Sequence, residues 1–86
     1  MTRAQAIRHE VLLQLYASGR VPLGLTHILK VSRGEQFDFG ESEIRDAVYF
    51  LRGQACAEPV LDPATGEVKY RITSRGMLEF ENKDER

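Results

Sequence analysis

Few of the side chains that carry catalysis or bind metals occur in this chain of 86 residues. His9, His27 and Cys56 are its only histidines and cysteine, and their separation does not match the spacing of a zinc site. It contains no glycine-rich phosphate loop, nucleophile elbow or cysteine–histidine pairing. A domain this short also has little room for a deep pocket that excludes water. The sequence therefore predicts that the protein is not an enzyme, with no catalytic residue, metal site or cofactor.

Cationic side chains are the other groups that could do chemistry, because arginine and lysine bind phosphate. The chain has 12 Lys+Arg against 13 Asp+Glu, and its net charge of −1 does not mark it as a nucleic-acid binder. Each cation taken alone is best explained as a solvated surface charge. Lys69, Arg71 and Arg75 together, beside a predicted exposed turn, favour phosphate contacts somewhat more. The function therefore depends on the elements that carry these cations.

The composition is that of one globular domain, with 42% apolar and 29% charged residues. No apolar run approaches the roughly 20 residues that a membrane span needs. The segment after Met1 is amphipathic and lacks the apolar stretch of a secretory signal. A single cysteine suits a reducing compartment. We therefore expect a cytoplasmic protein that makes no membrane contact.

Helix 1 is predicted over residues 2–18 from apolar residues that recur every three or four positions. Thr2 and Gln5 have capping-box spacing, and Gly19 follows as a natural end. A second apolar strip on this helix is formed by Ala6, Leu13, Tyr16 and Ala17. That strip could join two copies of the chain as a homodimer, or it could pack against a C-terminal helix of the same chain.

Two further helices are predicted before residue 54. Helix 2 is short and spans roughly 24–33. Helix 3 has Asp38 or Ser42 as its N-cap and ends at Gly53. Its core face is formed by Ile44, Ala47, Val48 and Leu51, at the spacing of an amphipathic helix.

The last third of the chain changes to the period of a β-strand. Residues 57–61 and 68–72 are predicted as strands, and apolar and basic residues alternate along the second. The turn chemistry of Asp, Pro and Gly fills residues 62–67 between them. Pro59 suits an edge strand because it cannot donate a ladder hydrogen bond. Thr73 or Ser74 then caps a short final helix. That helix carries Met77, Leu78 and Phe80. We expect a domain over residues 1–80 and a polar tail over 81–86.

This order of elements resembles the winged helix-turn-helix superfamily, in particular small PadR-like and MarR-like bacterial regulators. Residues 70–76, Tyr-Arg-Ile-Thr-Ser-Arg-Gly, look like the Tyr-x-Ile/Leu-Thr-x-x-Gly signature that closes their wing. Residues 42–51 look like their recognition helix leading into a strand. The resemblance covers residue 2 to about residue 80. It implies an α+β fold with three helices, a two- or three-stranded β-wing and a short C-terminal helix.

The resemblance also implies a function, since winged helix proteins place helix 3 in the major groove and the wing along the DNA backbone. With Ile44 toward the core, the implied DNA-binding residues are Ser42, Arg45, Tyr49, Arg52, Lys69, Arg71 and Arg75. Arg45 would read guanine edges, and the wing cations would contact phosphates. Lys30 and Arg33, from the end of helix 2, would add to these contacts. The implied protein is a small bacterial transcriptional regulator that binds double-stranded DNA as a homodimer.

An acidic stretch over residues 35–46 opposes this interpretation, because it holds five acidic residues and one arginine. Its carboxylates suit the N-terminus of helix 3, but each would also repel a nearby phosphate. Phe37 and Phe39 lie in the same stretch. Either one fills the core while the other is partly covered, or they anchor a protein partner. The alternative function is therefore a winged helix protein–protein interaction module that uses the acidic 35–46 surface and binds no DNA.

Overall fold

The computed structural model describes residues 1–84, which form four helices and a two-stranded antiparallel sheet. The helices are α1 (Arg3–Ser18), α2 (Leu25–Gly34), α3 (Glu41–Gly53) and α4 (Ser74–Asp84). The strands are β1 (Ala57–Leu61) and β2 (Val68–Ile72), which form a hairpin between α3 and α4. The predicted α+β class is confirmed, and the element order is consistent with a winged helix layout.

Helix α1 begins and ends where its sequence predicts. The Thr2 hydroxyl accepts a hydrogen bond from the Gln5 N–H (3.2 Å), and the Gln5 side chain accepts one from the Thr2 N–H (2.8 Å). Gly19 ends the helix with a φ of 63°, a conformation that costs glycine little. The capping box satisfies two backbone donors that would otherwise have no partner in the first turn.

Helix α1 lies at the centre of the domain and contacts α2, α3 and α4. Ile7, Val11 and Leu15 on its core face are almost completely buried. Its side toward α2 is also buried, although it carries the polar residues Glu10 and Gln14. Because other helices cover so much of its surface, its apolar residues do not form the single stripe expected of a surface helix.

The N-terminus of α3 differs from the prediction, because its N-cap is Gly40 and not Asp38 or Ser42. The Glu43 side chain accepts a hydrogen bond from the Gly40 N–H at 3.0 Å. Just before this cap, Phe39 is buried in the core (5% exposed), and Phe37 stacks on it with ring centroids 4.7 Å apart. The expectation that one phenylalanine fills the core while the other is partly covered is confirmed.

The hairpin has its predicted strand boundaries, and Pro59 lies opposite Tyr70. Tyr70 exchanges two hydrogen bonds of 2.8 Å with Leu23, which adds one residue of a third strand beside β2. Since these bonds occupy the backbone groups of Tyr70, the nitrogen of Pro59 lies on the outer edge of β1. That edge lacks a donor at its centre, which discourages pairing with another chain.

Hydrogen bonds of Thr73 join the hairpin to α4. The Thr73 hydroxyl accepts a hydrogen bond from the Gly76 N–H (3.0 Å) and donates one to the Ala55 carbonyl (2.6 Å). The Thr73 N–H donates to the Cys56 carbonyl at 3.0 Å. Thr73 is therefore the N-cap of α4, which is one of the two residues that the sequence predicted for this role. It also connects α4 to the segment before β1.

Helix α4 runs to Asp84 and so includes residues 81–84 of the predicted polar tail. Residues 85–86 of that tail lie outside the described residues. Between residues 1 and 84, no helix combines the length and the apolar character needed to cross a membrane.

Candidate nucleic-acid interface

The outer face of α3 is the most prominent uncovered helix surface that carries the predicted DNA-binding residues. Since Ile44 and Val48 face the core, the opposite side of the helix faces solvent. Four predicted residues of this helix are exposed, namely Ser42, Arg45, Tyr49 and Arg52. The helical period thus gathers them along nearly three turns of one helix.

Arg45 on this face pairs with Glu41 one turn earlier, at 3.2 Å. Both side chains are exposed, so the pair contributes less than about 1 kcal/mol to stability. A phosphate or a guanine edge could replace Glu41 as the partner of Arg45 at little cost.

Tyr49 and Arg52 meet the hairpin on one side of α3. The Tyr70 side chain on β2 is buried, and its hydroxyl faces Tyr49 and Arg52. Burial raises the pKa of Tyr70 above the usual tyrosine value, the Tyr49 phenol raises it further, and the charge of Arg52 opposes both. Tyr49, Arg52 and Tyr70 are therefore near one another where α3 meets the hairpin.

Lys69 and Arg71 lie on the other face of the hairpin. Side chains alternate along a strand, and Tyr70 and Ile72 of β2 face the core, so Lys69 and Arg71 point away from it. Arg71 donates to a Glu58 oxygen at 2.6 and 3.0 Å. Lys69 is 3.3 Å from Asp62 on the turn side. These two predicted wing cations are therefore each paired with a carboxylate and do not continue the exposed face of α3.

Arg75 occupies a third location, at the start of α4. It lines a cleft with Phe50 and Gln54 near the C-terminal end of α3. Among the described side chains, Arg52 and Arg75 are the predicted DNA-binding cations that make no ion pair. The structure thus brings together the four residues of α3 and separates from them Lys69, Arg71 and Arg75.

The acidic stretch over residues 35–46 is partly neutralised by Arg3, which sequence reasoning missed. Arg3 lies 2.7 Å from Glu43 and 3.3 Å from Asp38. Its hydrogen bonds to Glu43, together with the Gly40 N–H, lower the pKa of Glu43 to about 2. No spacing rule links Arg3 to residues 38 and 43, because α1 and α3 meet only through tertiary packing. The objection that this stretch raises against DNA binding is therefore weaker than its composition suggests.

We expect Arg3→Ala to raise the pKa of Glu43 from about 2 toward the usual glutamate value. The largest cause of the low pKa is the hydrogen bond from Arg3, and only the Gly40 N–H would remain. Side-chain carboxyl NMR titration measures this directly. Arg20→Ala, at an exposed position outside this network, is the control, and an unchanged Glu43 in the Arg3 variant would refute the assignment.

A second group of polar residues, also missed, is buried between α1 and α2. Gln14 donates from its amide nitrogen toward Glu10 (2.8 Å), the Ser32 hydroxyl (3.1 Å) and the Ile28 carbonyl (3.2 Å). Burial raises the pKa of Glu10, the hydrogen bond from Gln14 opposes this, and the Glu35 carboxyl adds to it. The sequence signal for this group was the presence of polar residues at positions 10 and 14, which lie one turn apart beside the core face of helix 1.

Glu10→Gln is expected to raise the thermal unfolding midpoint at pH 7, with a smaller gain near pH 4. A carboxyl whose folded-state pKa is raised stabilises the fold below its unfolded-state pKa and loses that contribution as pH rises through the folded-state pKa. Glutamine keeps the shape and does not ionise. Thermal unfolding monitored by circular dichroism across this pH range measures the difference. Glu79→Gln, exposed on α4, should show no such pH dependence; equal behaviour of the two variants would contradict the expectation.

Comparison with known proteins does not decide between the functions. No family model, curated protein or solved structure matches this chain. The function is therefore argued from the side chains that the fold exposes and from those that it brings together.

Proposed function

We propose that the protein is a winged helix DNA-binding protein, a small transcriptional regulator that reads double-stranded DNA with α3. The observation that supports this is the uncovered outer face of α3, with Ser42, Arg45, Tyr49 and Arg52 exposed along it. An α-helix fits the major groove, where arginine pairs with guanine through two hydrogen bonds. Arg45 lies nearest the centre of this face and is the base-reading residue in this proposal.

The other α3 residues would hold the helix on the DNA backbone. Ser42 in the first turn suits a phosphate contact, since helix N-termini favour anions. Tyr49 and Arg52 would bind a phosphate at the junction with the hairpin, where Tyr70 supports Tyr49. Lys69 and Arg71 lie on the hairpin face that points away from the core and do not continue the outer face of α3, so their contribution in this proposal is small. Few phosphates are then neutralised, and one copy of the chain binds weakly.

A homodimer would double these contacts, and the predicted second strip of α1 supplies a surface for it. Tyr16 of that strip stacks on Phe80 of α4 with ring centroids 4.5 Å apart, so it is used within the chain. Leu13 remains 37% exposed, with Ala17 also exposed one turn later. The proposed protein is thus a cytoplasmic, bacterial dimer in which the remaining part of the strip, Leu13 and Ala17, joins the copies.

The second candidate is a protein-interaction module that binds no DNA. The pairing of Lys69 and Arg71 with carboxylates favours it, because this leaves the hairpin with little free positive charge. Leu61 and Val68, which pair near the hairpin tip, are also exposed apolar residues. The acidic 35–46 surface would offer a basic partner mainly Phe37 and the carboxylates that Arg3 does not bind.

Titration of a fluorescent duplex of mixed sequence, at about 50 and about 200 mM salt, separates the two functions. DNA binding by α3 predicts saturable binding at the lower salt concentration that weakens at the higher one. Absence of binding at both concentrations would refute it. Binding of a lysine-rich peptide through residues 35–46, without duplex binding, would favour the second function.

A further inference from the structure

A groove of about 480 Å³ lies between α1 and α2. Its walls are apolar for most of their length, with Leu13 and Ala17 from α1 and Val31 from α2. Glu35 stands at the end of α2 and His27 on its side, and Gln14 lines the groove from α1. Leu13 and Ala17 on its α1 wall are the residues proposed above to join two copies, whereas the rest of the groove has no part in the proposed DNA-binding function.

The polar end of the groove has too few hydrogen-bond donors. Glu10 and Gln14 are 4% and 8% exposed, and the carboxyl groups of Glu10 and Glu35 lie close enough to interact. The Gln14 nitrogen already faces three acceptors, and the Ser32 hydroxyl donates to the Ile28 carbonyl at 2.9 Å. Gln14 Oε1 is buried and accepts no hydrogen bond. A buried acceptor without a partner destabilises the fold, so a donor-rich group brought to this end would be stabilised.

We propose that this groove binds a small amphipathic amine, with its ammonium group at Glu35 and Gln14, both of which line the groove. An ammonium carries three donors and a positive charge, which match two carboxylates and an unpartnered amide oxygen. The hydrocarbon part of the ligand lies along Leu13, Ala17 and Val31, where it loses contact with water. An anion would be repelled by both carboxylates, and an alcohol has one donor and no charge. This site does not depend on DNA binding by α3, but it shares Leu13 and Ala17 with the proposed dimer contact, so amine binding and dimer formation compete.

The test uses the full chain and three probes of equal chain length: hexylamine, hexanol and hexanoate. Hexylamine should raise the unfolding midpoint with increasing concentration, hexanol should raise it less, and hexanoate should not raise it. In two-dimensional NMR, hexylamine should shift the side-chain amide signals of Gln14. Equal effects of hexylamine and hexanol, or no shift at Gln14, would overturn the proposal.

Glu35→Gln tests the charge at the groove while keeping the side-chain shape. Because Glu35 is exposed, this variant should fold, and it should bind hexylamine about tenfold more weakly. Its affinity for hexanol should stay the same. Glu79→Gln, which is exposed on α4, is the matched control and should bind hexylamine as the original chain does. Unchanged hexylamine affinity in Glu35→Gln would overturn the proposal.

Discussion

Gly76→Ala is expected to lower the free energy of unfolding by about 3 kcal/mol. A Cβ atom at this position would collide with the Cys56 carbonyl oxygen and lie 2.7 Å from the Ile72 side chain. The Cys56 carbonyl cannot easily move, because it accepts the Thr73 N–H at 3.0 Å. The Gly76 N–H is held in turn by the Thr73 hydroxyl. Relief of the collision would therefore break the junction that ties α4 to the hairpin. Urea denaturation of the variant measures the loss.

Gly53→Ala is the matched control for this substitution. Gly53 also lies in a helix, but a Cβ atom there would meet nothing within 4 Å. Alanine favours a helix over glycine, so this variant should be as stable as the original chain or more stable by up to about 1 kcal/mol. If the two alanine variants unfold at the same urea concentration, the backbone of Cys56 does not approach Gly76 as closely as the structure shows.

Replacing both Arg45 and Arg52 by alanine is expected to weaken duplex binding at least about a hundredfold at low salt. A guanidinium that reads a guanine contributes about 1–3 kcal/mol of discrimination, and loss of a phosphate contact reduces the salt dependence by nearly one unit of slope. Both side chains are exposed on α3, so their removal should leave the fold intact. Titrations at several salt concentrations measure the affinity and the slope together.

Lys69→Ala with Arg71→Ala is the control for this double substitution, since it removes the same charge from the hairpin. These cations lie on the face of the hairpin away from α3, so we expect less than about a threefold change in affinity. A larger effect from the hairpin pair than from the α3 pair would show that the wing carries the DNA contacts instead.

Local chemistry was sufficient to predict most of the fold. The capping box of α1 and the hairpin between residues 57 and 72 depend on neighbours within a few positions, and both were predicted correctly. The N-cap of α3 was predicted incorrectly: it is Gly40, whose N–H is bound by Glu43, whereas the Asp38 carboxylate binds Arg3, 35 positions earlier. The contact of Asp38 with Arg3 arises from the packing of α1 against α3, which helical spacing does not reveal.

In the candidate site, too, the features that depend on local sequence were predictable and those that depend on packing were not. Exposure of Ser42, Arg45, Tyr49 and Arg52 follows from the period of one helix. The pairing of Arg71 with Glu58 follows from the hairpin register, in which these residues lie opposite one another. The buried group at Glu10 and Gln14 depends on how α1 packs against α2, so the sequence signals polar residues there but not their partners.

The most direct test of DNA reading by α3 is two-dimensional NMR of the full chain, isotopically labelled, as a mixed-sequence duplex is added at low salt. If α3 reads DNA, the largest chemical-shift changes of the backbone amides occur at Ser42, Arg45, Tyr49 and Arg52, and added salt reverses them. Shifts confined to residues 35–39 or to the groove between α1 and α2, or no shift at any duplex concentration, would contradict it.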